Sequence, residues 1–97
     1  MCHLKFDWDE KKNAANLRKH GVSFGTASLA FEDPFQLLLF DRFVDNETRW
    51  QTIGLAGALS YLLIVHTLED EDGEELVRII SARQVIAYER RLYEEGL

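Results

Sequence analysis

Residues 61–80 read YLLIVHTLEDEDGEELVRII, and this stretch decides the architecture of the chain. Its first part, Tyr61 to Thr67, is rich in aromatic and β-branched residues, which favour strands. The Asp72-Gly73 pair is the strongest hairpin signal in the sequence, because both residues tolerate the positive φ angles of a tight turn. Leu76 to Ile80 then returns as a second strand. The stretch therefore predicts an antiparallel hairpin whose acidic tip, Glu69 to Glu75, is a solvated loop.

Two further strand-like segments precede this hairpin. Phe35 to Phe40 is a continuous apolar run apart from Gln36, and the segment from Trp50 to Leu55 has the alternation of a strand. The Gly57-Ala58 pair predicts a tight turn between the second segment and the hairpin. Four successive strands with short links predict an antiparallel meander.

The first residues predict a short strand followed by a helix. Phe6 and Trp8 flank a polar residue, which indicates a strand over residues 4–7. Asp9 is a plausible N-cap for a helix from Glu10 to about His20. Gly21 follows as a left-handed helix end.

A second, shorter helix is predicted after this glycine. Ser23 is its expected N-cap, and the Asp33-Pro34 pair ends it, since a residue before proline avoids helical angles. The residues expected to face the core are Ala14, Leu17 and Val22 in and after the first helix, and Ala27, Ala30 and Phe31 in the second.

The C-terminal segment predicts a third helix. Ser81 and Gln84 have the spacing of a capping box, which would open a helix running through about Glu94. The predicted order is β-α-α-β-β-β-β-α over residues 1–97. This is a single α+β domain, an antiparallel sheet with helices packed on it.

Composition narrows the function classes. The chain has 97 residues, of which 46% are apolar and 29% charged, as in an ordinary globular domain. Its one cysteine, Cys2, excludes an internal disulfide framework and a four-cysteine zinc site. Neither a membrane-spanning run nor a signal peptide is evident, so we expect a cytoplasmic protein.

The net charge of −6 argues at first against nucleic-acid binding. However, Glu69 to Glu75 holds six acidic residues in seven positions, and the rest of the chain is neutral without them. The acidity is therefore largely one local feature, and it says little about the remaining surface.

The residues best suited to chemistry are cations at the ends of predicted elements: Lys19, His20, Arg49, Arg78 and Arg83. Each also has a structural interpretation. Cations stabilise the C-terminus of a helix, which would explain Lys19 and His20. Arg78, on a strand, is expected to be solvated or ion-paired. His66 is expected to be an ordinary strand histidine, and both tryptophans are expected to be core residues rather than platforms for stacking bases.

Arg83 differs from the other cations. In the first turn of the predicted last helix, it would oppose the helix dipole, so local structure does not explain it. A bound anion would explain it, and so would an ion pair with a carboxylate such as Glu89. Arg78 and Arg83 are five residues apart across a strand end, so they need not share a face.

Several segments together resemble the BrnT family, in order and over nearly the whole chain. The two most specific blocks are Lys-His-Gly-Val-Ser-Phe at 19–24 and Arg-Ile-Ile-Ser-Ala-Arg at 78–83. The other matching positions are Phe6 to Asp9, Lys12, Asn16, Ala27, Phe31, Asp33-Pro34, Glu47 to Trp50, Ile53-Gly54, Glu89 and Tyr93.

The resemblance implies a toxin of a type II toxin–antitoxin pair with a RelE-like fold. The implied activity is an endoribonuclease that stops translation and is neutralised by a BrnA-type antitoxin. RNA carries its own nucleophile, the 2′-hydroxyl, so the hypothesis needs neither a metal nor a cofactor. We expect two toxins on an antitoxin dimer, with DNA bound only through the antitoxin.

Each candidate residue has a role under this hypothesis. Arg49 and Arg83 would clamp the phosphate, with Arg78 as a third phosphate-binding cation. His20 would exchange a proton near neutral pH, with Lys19 beside it. The side chain of Trp50 is a candidate antitoxin anchor.

One position departs from the family pattern. Where the family often has an arginine near position 69, this chain has Glu69. The sequence therefore leaves a second interpretation open, a catalytically inactive toxin relic that acts only as a protein-binding module in a repressor complex. A third, weaker interpretation is a domain that binds a small molecule.

Overall fold

A five-stranded sheet forms the centre of the computed structural model, which describes residues 4–57 and 60–96. The strand order is β1-β5-β4-β3-β2. Strand β1 is parallel to β5, and all other neighbouring pairs are antiparallel. The predicted α+β class and the meander of four strands are thus confirmed.

The elements follow the predicted order, with some shifted ends. They are β1 (Leu4–Asp7), α1 (Glu10–His20), α2 (Phe24–Ser28) with a 3₁₀ turn (Leu29–Glu32), β2 (Leu37–Val44), β3 (Glu47–Ala56), β4 (Ser60–Glu71), β5 (Glu74–Gln84) and α3 (Ala87–Glu95). Strand β2 begins and ends later than the predicted 35–40. Strands β4 and β5 are both longer than the sequence suggested.

Two tight turns connect the long strands. Asp72 and Gly73 have φ angles of 54° and 82°, which confirms the predicted hairpin. The predicted loop over Glu69 to Glu75 is wrong in its bounds, because strand pairing continues to Glu71 and Glu74 and leaves a two-residue turn. Asp45 and Asn46, which the sequence analysis did not identify as a turn, have φ angles of 52° and 63° and join β2 to β3. Gly57 begins the turn after β3, and its predicted companion Ala58 lies outside the described residues.

Helix α1 has the predicted caps but a different buried face. The Asp9 carboxylate accepts hydrogen bonds from two backbone N–H groups of the first turn, and Gly21 ends the helix at φ 72°. Leu17 is 50% exposed and Ala14 is also exposed, so the expectation that they face the core is wrong.

The buried residue of α1 is Asn16. Its amide donates to the carbonyl of Ala82 at 2.8 Å and accepts from the Ala82 N–H at 3.2 Å. It also donates to the Val22 carbonyl at 2.8 Å. Strand β1 pairs only with residues 75–78 of β5, so Asn16 takes the place of a neighbouring strand further along β5.

Helix α2 and the 3₁₀ turn cover one face of the sheet, which we call the helix-packed face. Ser23 caps α2 as predicted, and Ala27, Ala30 and Phe31 are buried. A Cβ atom at Gly54 on β3 would lie 2.7 Å from the Ala30 carbonyl oxygen, so only glycine allows this close approach.

Helix α3 packs on the opposite face and is fixed to the end of the 3₁₀ turn. The Tyr93 hydroxyl donates to Asp33 at 2.5 Å, and the backbone N–H groups of Leu55 and Phe35 donate to the same carboxylate at 2.9 Å. Burial and the Asp33 carboxylate together raise the pKa of Tyr93 to about 12, so it remains a donor at neutral pH.

The predicted helix start at Ser81 is wrong. Residues 81–84 continue β5, because β4 extends far enough to pair with them as far as Gln84. Pairing with a neighbouring strand supplies more hydrogen bonds than a local cap would. The helix begins at Ala87, and Glu89 accepts the Ile86 N–H at 3.0 Å.

Candidate functional site

A bulge in β5 brings Arg78 and Arg83 to the same face of the sheet. Side chains alternate along a strand, so residues five apart would normally point to opposite faces. Here Val65 pairs with Ser81 while His66 pairs with Ile79, which leaves Ile80 as an extra residue. The bulge restores a shared face, where Arg78 lies opposite Thr67 and Arg83 opposite Leu63.

Arg49 and Arg42 lie on this face too. Arg42 pairs with Arg49 across the β2–β3 ladder, next to a second bulge between Phe40 and Arg42. Trp50 pairs with His66, so the register places Arg49 opposite Thr67 on β4. We call the surface that carries Arg42, Arg49, Arg78 and Arg83 the arginine face. It is the face turned away from α2.

The register sets the spacing of these cations. Arg49 and Arg78 flank Thr67 on the two sides of β4, so their Cα atoms are about 10 Å apart, at roughly 4.8 Å per strand. Arg83 pairs with Leu63, which lies four residues before Thr67 on β4. The two positions are therefore about 13 Å apart along the strand. Arg78 is thus closer to Arg49 than Arg83 is, and Arg83 lies nearer to α3.

Carboxylates lie within ion-pair distance of the two arginines that flank Thr67, Arg49 and Arg78. Glu69 accepts from Arg78 at 2.7 Å, and Asp7 accepts from the same guanidinium at 3.3 Å. Glu47 lies 3.6 Å from Arg49. The Nε atom of Arg49 is buried and has no hydrogen-bond partner among the described residues.

Arg83 does not lie at a helix N-terminus, so the predicted conflict with a helix dipole does not arise. Its two terminal nitrogens donate to the two oxygens of Glu89, each at 2.8 Å. This pair lowers the pKa of Glu89 and raises that of Arg83, mainly through the hydrogen bonds between them. The alternative of a structural ion pair with Glu89 is therefore the one that the structure contains.

Trp50 lies on the other side of the sheet from Arg49, although the two are adjacent in sequence. Its ring packs edge-on against Phe40, with centroids 6.1 Å apart. His66, opposite Trp50, is fully buried, and its Nε2 atom lies 2.7 Å from the Thr52 hydroxyl. Burial lowers the pKa of His66, so it is a neutral core residue, as expected of an ordinary strand histidine.

Lys19 and His20 lie at the C-terminal end of α1, beyond the contact between Asn16 and Ala82. Within residues 4–57 and 60–96, neither side chain makes a hydrogen bond or ion pair, so no direct contact joins them to the arginines. The structure brings the strand arginines onto one face but leaves Lys19 and His20 on a separate element.

Sequence reasoning missed Arg42, Thr67 and Glu47 as parts of this surface. Identifying Asp45-Asn46 as a hairpin turn would have placed Arg42 next to Arg49, because a two-residue turn determines the register of its strands. In the part of the chain that the structure describes, no three His, Cys, Asp or Glu side chains form a cluster that could hold a metal ion. None of the described helices is long and apolar enough to cross a membrane.

A family profile described as "Ribonuclease toxin, BrnT, of type II toxin-antitoxin system" matches residues 8–89. The chain belongs to the BrnT family. The matched segment includes α1, the whole meander and the Arg83–Glu89 pair. It therefore covers every arginine of the arginine face, and it confirms the family resemblance in the sequence.

A solved BrnT structure has the same fold. The 1.1 Å crystal structure of the ribonuclease toxin BrnT from Brucella abortus is 27% identical to this chain. The match covers 87% of this chain and 99% of that one, with a TM-score of 0.60. A comparison with curated proteins found no match. The BrnT-family chain is thus a type II ribonuclease toxin by family, and type II toxins have antitoxin partners.

Proposed function

We propose that this chain cleaves RNA without a metal ion and that its arginine face binds the RNA backbone. The observation that carries the proposal is the row of Arg42, Arg49, Thr67 and Arg78, which the strand registers align across four strands. Attack by the RNA 2′-hydroxyl builds up negative charge on the oxygens of the phosphorane, and guanidinium groups can stabilise that charge.

The spacing supports distinct roles for the arginines. Arg49 and Arg78 flank Thr67 and are close enough to hold one phosphate from two sides. Arg83 lies further along the same face, where it would contact a neighbouring phosphate of the same strand. Its bond to Glu89 also fixes α3 beside this surface.

His20 is our candidate for proton transfer, with Lys19 as an accompanying phosphate-binding cation. An imidazole changes protonation near neutral pH, which suits a general acid or base. Both residues lie in the Lys-His-Gly-Val-Ser-Phe block by which the sequence resembles the BrnT family. Asn16, about one helical turn before His20, contacts Ala82, which is next to Arg83 on β5.

RNA must displace carboxylates to reach these arginines. Glu69 and Asp7 bind Arg78, and Glu47 lies beside Arg49. This observation favours a second candidate function, an inactive relic whose arginines are permanently neutralised and which acts only through its antitoxin. The ion pairs are half-exposed, however, and such pairs contribute at most about 1 kcal/mol, which a phosphate can outweigh.

The proposed partner is a BrnA-type antitoxin in the cytoplasm, where translated RNA is found. We propose that two toxins bind an antitoxin dimer and that operator DNA is bound through the antitoxin. The net charge of −6 supports this division, since a chain of that charge is poorly suited to neutralise DNA phosphates by itself.

Expression in bacteria distinguishes the two functions. The active toxin should arrest growth when expressed without antitoxin, and Arg49→Ala should abolish the arrest. Arg91→Ala is the matched control, because Arg91 is an exposed arginine on α3, away from the row. Normal growth with the unaltered chain at a confirmed protein level would support the relic and contradict the nuclease.

A further inference from the structure

An exposed aromatic patch covers the far end of the helix-packed face. We define it as Leu38, Phe40, Phe43 and Trp50, which the ladder register places on this face. Phe40 and Phe43 are 62% and 64% exposed, and Leu38 is 48% exposed. Helix α2 and the 3₁₀ turn cover the other end of the face. Strand β2 is an edge strand, so the patch lies at an open margin of the sheet.

A small cavity continues the patch into the sheet. Its volume is about 140 Å³, and the residues that line it include Leu38, His66, Leu68 and Glu75. His66 pairs across the ladder with Trp50, so the cavity and the patch are adjacent. The cavity is of the size of one large apolar side chain and is lined mainly by apolar groups.

The acidic hairpin places two carboxylates beside this cavity. Glu71 and Glu74 turn to the other face, where both approach Lys5, and Glu69 binds Arg78. Asp70 and Glu75 belong to the helix-packed face by register. Among residues 4–57 and 60–96 neither has an ion-pair partner. The apolar surface thus has an acidic rim, Asp70 and Glu75, whose charges are not neutralised by the described residues.

We propose that the aromatic patch and its acidic rim are the docking surface for the antitoxin, and that the occupant is a basic segment carrying apolar side chains. The inference rests on the proposed toxin–antitoxin function. An antitoxin that binds operator DNA needs basic residues, which the free charges of Asp70 and Glu75 would attract. RNA and a second copy of this chain fit less well, because each would bring negative charge to an acidic rim.

The proposal separates the antitoxin surface from the proposed active face. Trp50 and Arg49 are neighbours on β3 but point to opposite sides of the sheet. Antitoxin contact at the patch should therefore not depend on Arg49. This permits binding measurements in an Arg49→Ala background, which cells should tolerate.

The test measures binding of the separately purified cognate antitoxin to this Arg49→Ala parent. Adding Phe40→Ser and Phe43→Ser should raise the Kd at least about tenfold, because buried aromatics usually anchor interfaces. Tyr88→Ser is the matched control, since Tyr88 is 58% exposed on α3, and it should change the Kd by less than about twofold. Melting temperatures verify that each variant is folded.

The charge arm of the test uses association rates at two salt concentrations. Glu75→Lys should slow association at low salt, and Glu95→Lys should not, because Glu95 is an exposed acid on α3 away from the rim. Equal binding by the parent and the Phe40/Phe43 variant would overturn the docking surface alone. If the parent binds no antitoxin, the proposed pairing fails and the docking proposal fails with it. A parent that dimerises through the patch, with antitoxin binding unchanged in the variant, would assign the surface to a second copy instead.

Discussion

Replacing Arg83 with methionine should destabilise the fold, because the guanidinium of Arg83 binds Glu89 through two hydrogen bonds of 2.8 Å. The Glu89 side chain is only 14% exposed, and that of Arg83 is 37% exposed. Hydrogen bonds to charged groups contribute about 1.5–3 kcal/mol when buried, and exposed ion pairs about 0–1 kcal/mol. The pair lies between these limits, so we expect about 1–2 kcal/mol.

A double-mutant cycle isolates this contribution. Glu89→Gln keeps an acceptor for the Ile86 N–H while removing the charge, and the double variant closes the cycle. Urea unfolding gives the coupling energy. If Arg83→Met lowers the free energy of unfolding by about 1.5 kcal/mol, its melting temperature should fall by roughly 6–12 °C. Arg91→Met is the control for removing an exposed arginine. A coupling energy below about 0.5 kcal/mol would refute the view that this pair holds α3 in place.

Three further predictions concern stability. Gly54→Ala should lower the free energy of unfolding in urea by about 2–3 kcal/mol, because the new Cβ would lie 2.7 Å from the Ala30 carbonyl oxygen. Gly25→Ala is the control and should not destabilise the fold, since its Cβ would lie 3.9 Å from the nearest atom. Similar values for the two variants would contradict the close contact at Gly54. Burial acts to raise the pKa of Asp33, but hydrogen bonds from Tyr93, Leu55 and Phe35 lower it overall, so the stability it contributes is present above pH 3.8 and lost as the pH falls further. Asp33→Asn should reduce this loss of stability at acid pH, measured as melting temperature against pH, and an unchanged loss would argue against a stabilising Asp33 carboxylate. Burial lowers the pKa of His66 below 6.5, so the stability of the fold should decrease as the pH drops below 6.5. His66→Gln should remove this dependence of stability on pH, and a dependence that persists in the variant would have to come from another group.

Features determined by neighbouring residues could be predicted from the sequence. The caps at Asp9, Gly21 and Ser23 depend on local hydrogen bonds and φ angles, as does the turn at Asp72-Gly73. The family blocks likewise pointed to the fold and to the strand arginines. These signals lie within a few residues of the structure that they determine.

Features determined by distant partners could not be predicted. The extension of β5 to Gln84 depends on the length of β4, and this removed the predicted helix start before Arg83. The bulge at Ile80 has no local sequence signal, although it decides that Arg78 and Arg83 share a face. Asn16 is buried because its amide meets the backbone of Ala82, 66 residues away.

The distribution of functional groups over the two faces also follows from register rather than from sequence proximity. Arg49 and Trp50 are adjacent in the chain, yet one lies on the arginine face and the other in the aromatic patch. The acidic run is divided in the same way, between ion pairs with Lys5 and Arg78 on one side and, on the other, the rim of Asp70 and Glu75, which have no ion-pair partner among the described residues.

RNA cleavage in EDTA by the purified chain tests the central claim most directly. The substrates are an RNA oligonucleotide and the same oligonucleotide with a 2′-deoxy sugar at the cleaved position. We predict cleavage of the RNA alone, a 2′,3′-cyclic phosphate at the new end, and a loss of about 100-fold or more in kcat/KM for Arg49→Ala but not for Arg91→Ala. Cleavage of the deoxy substrate, or equal rates for Arg49→Ala and the unaltered chain, would contradict the account.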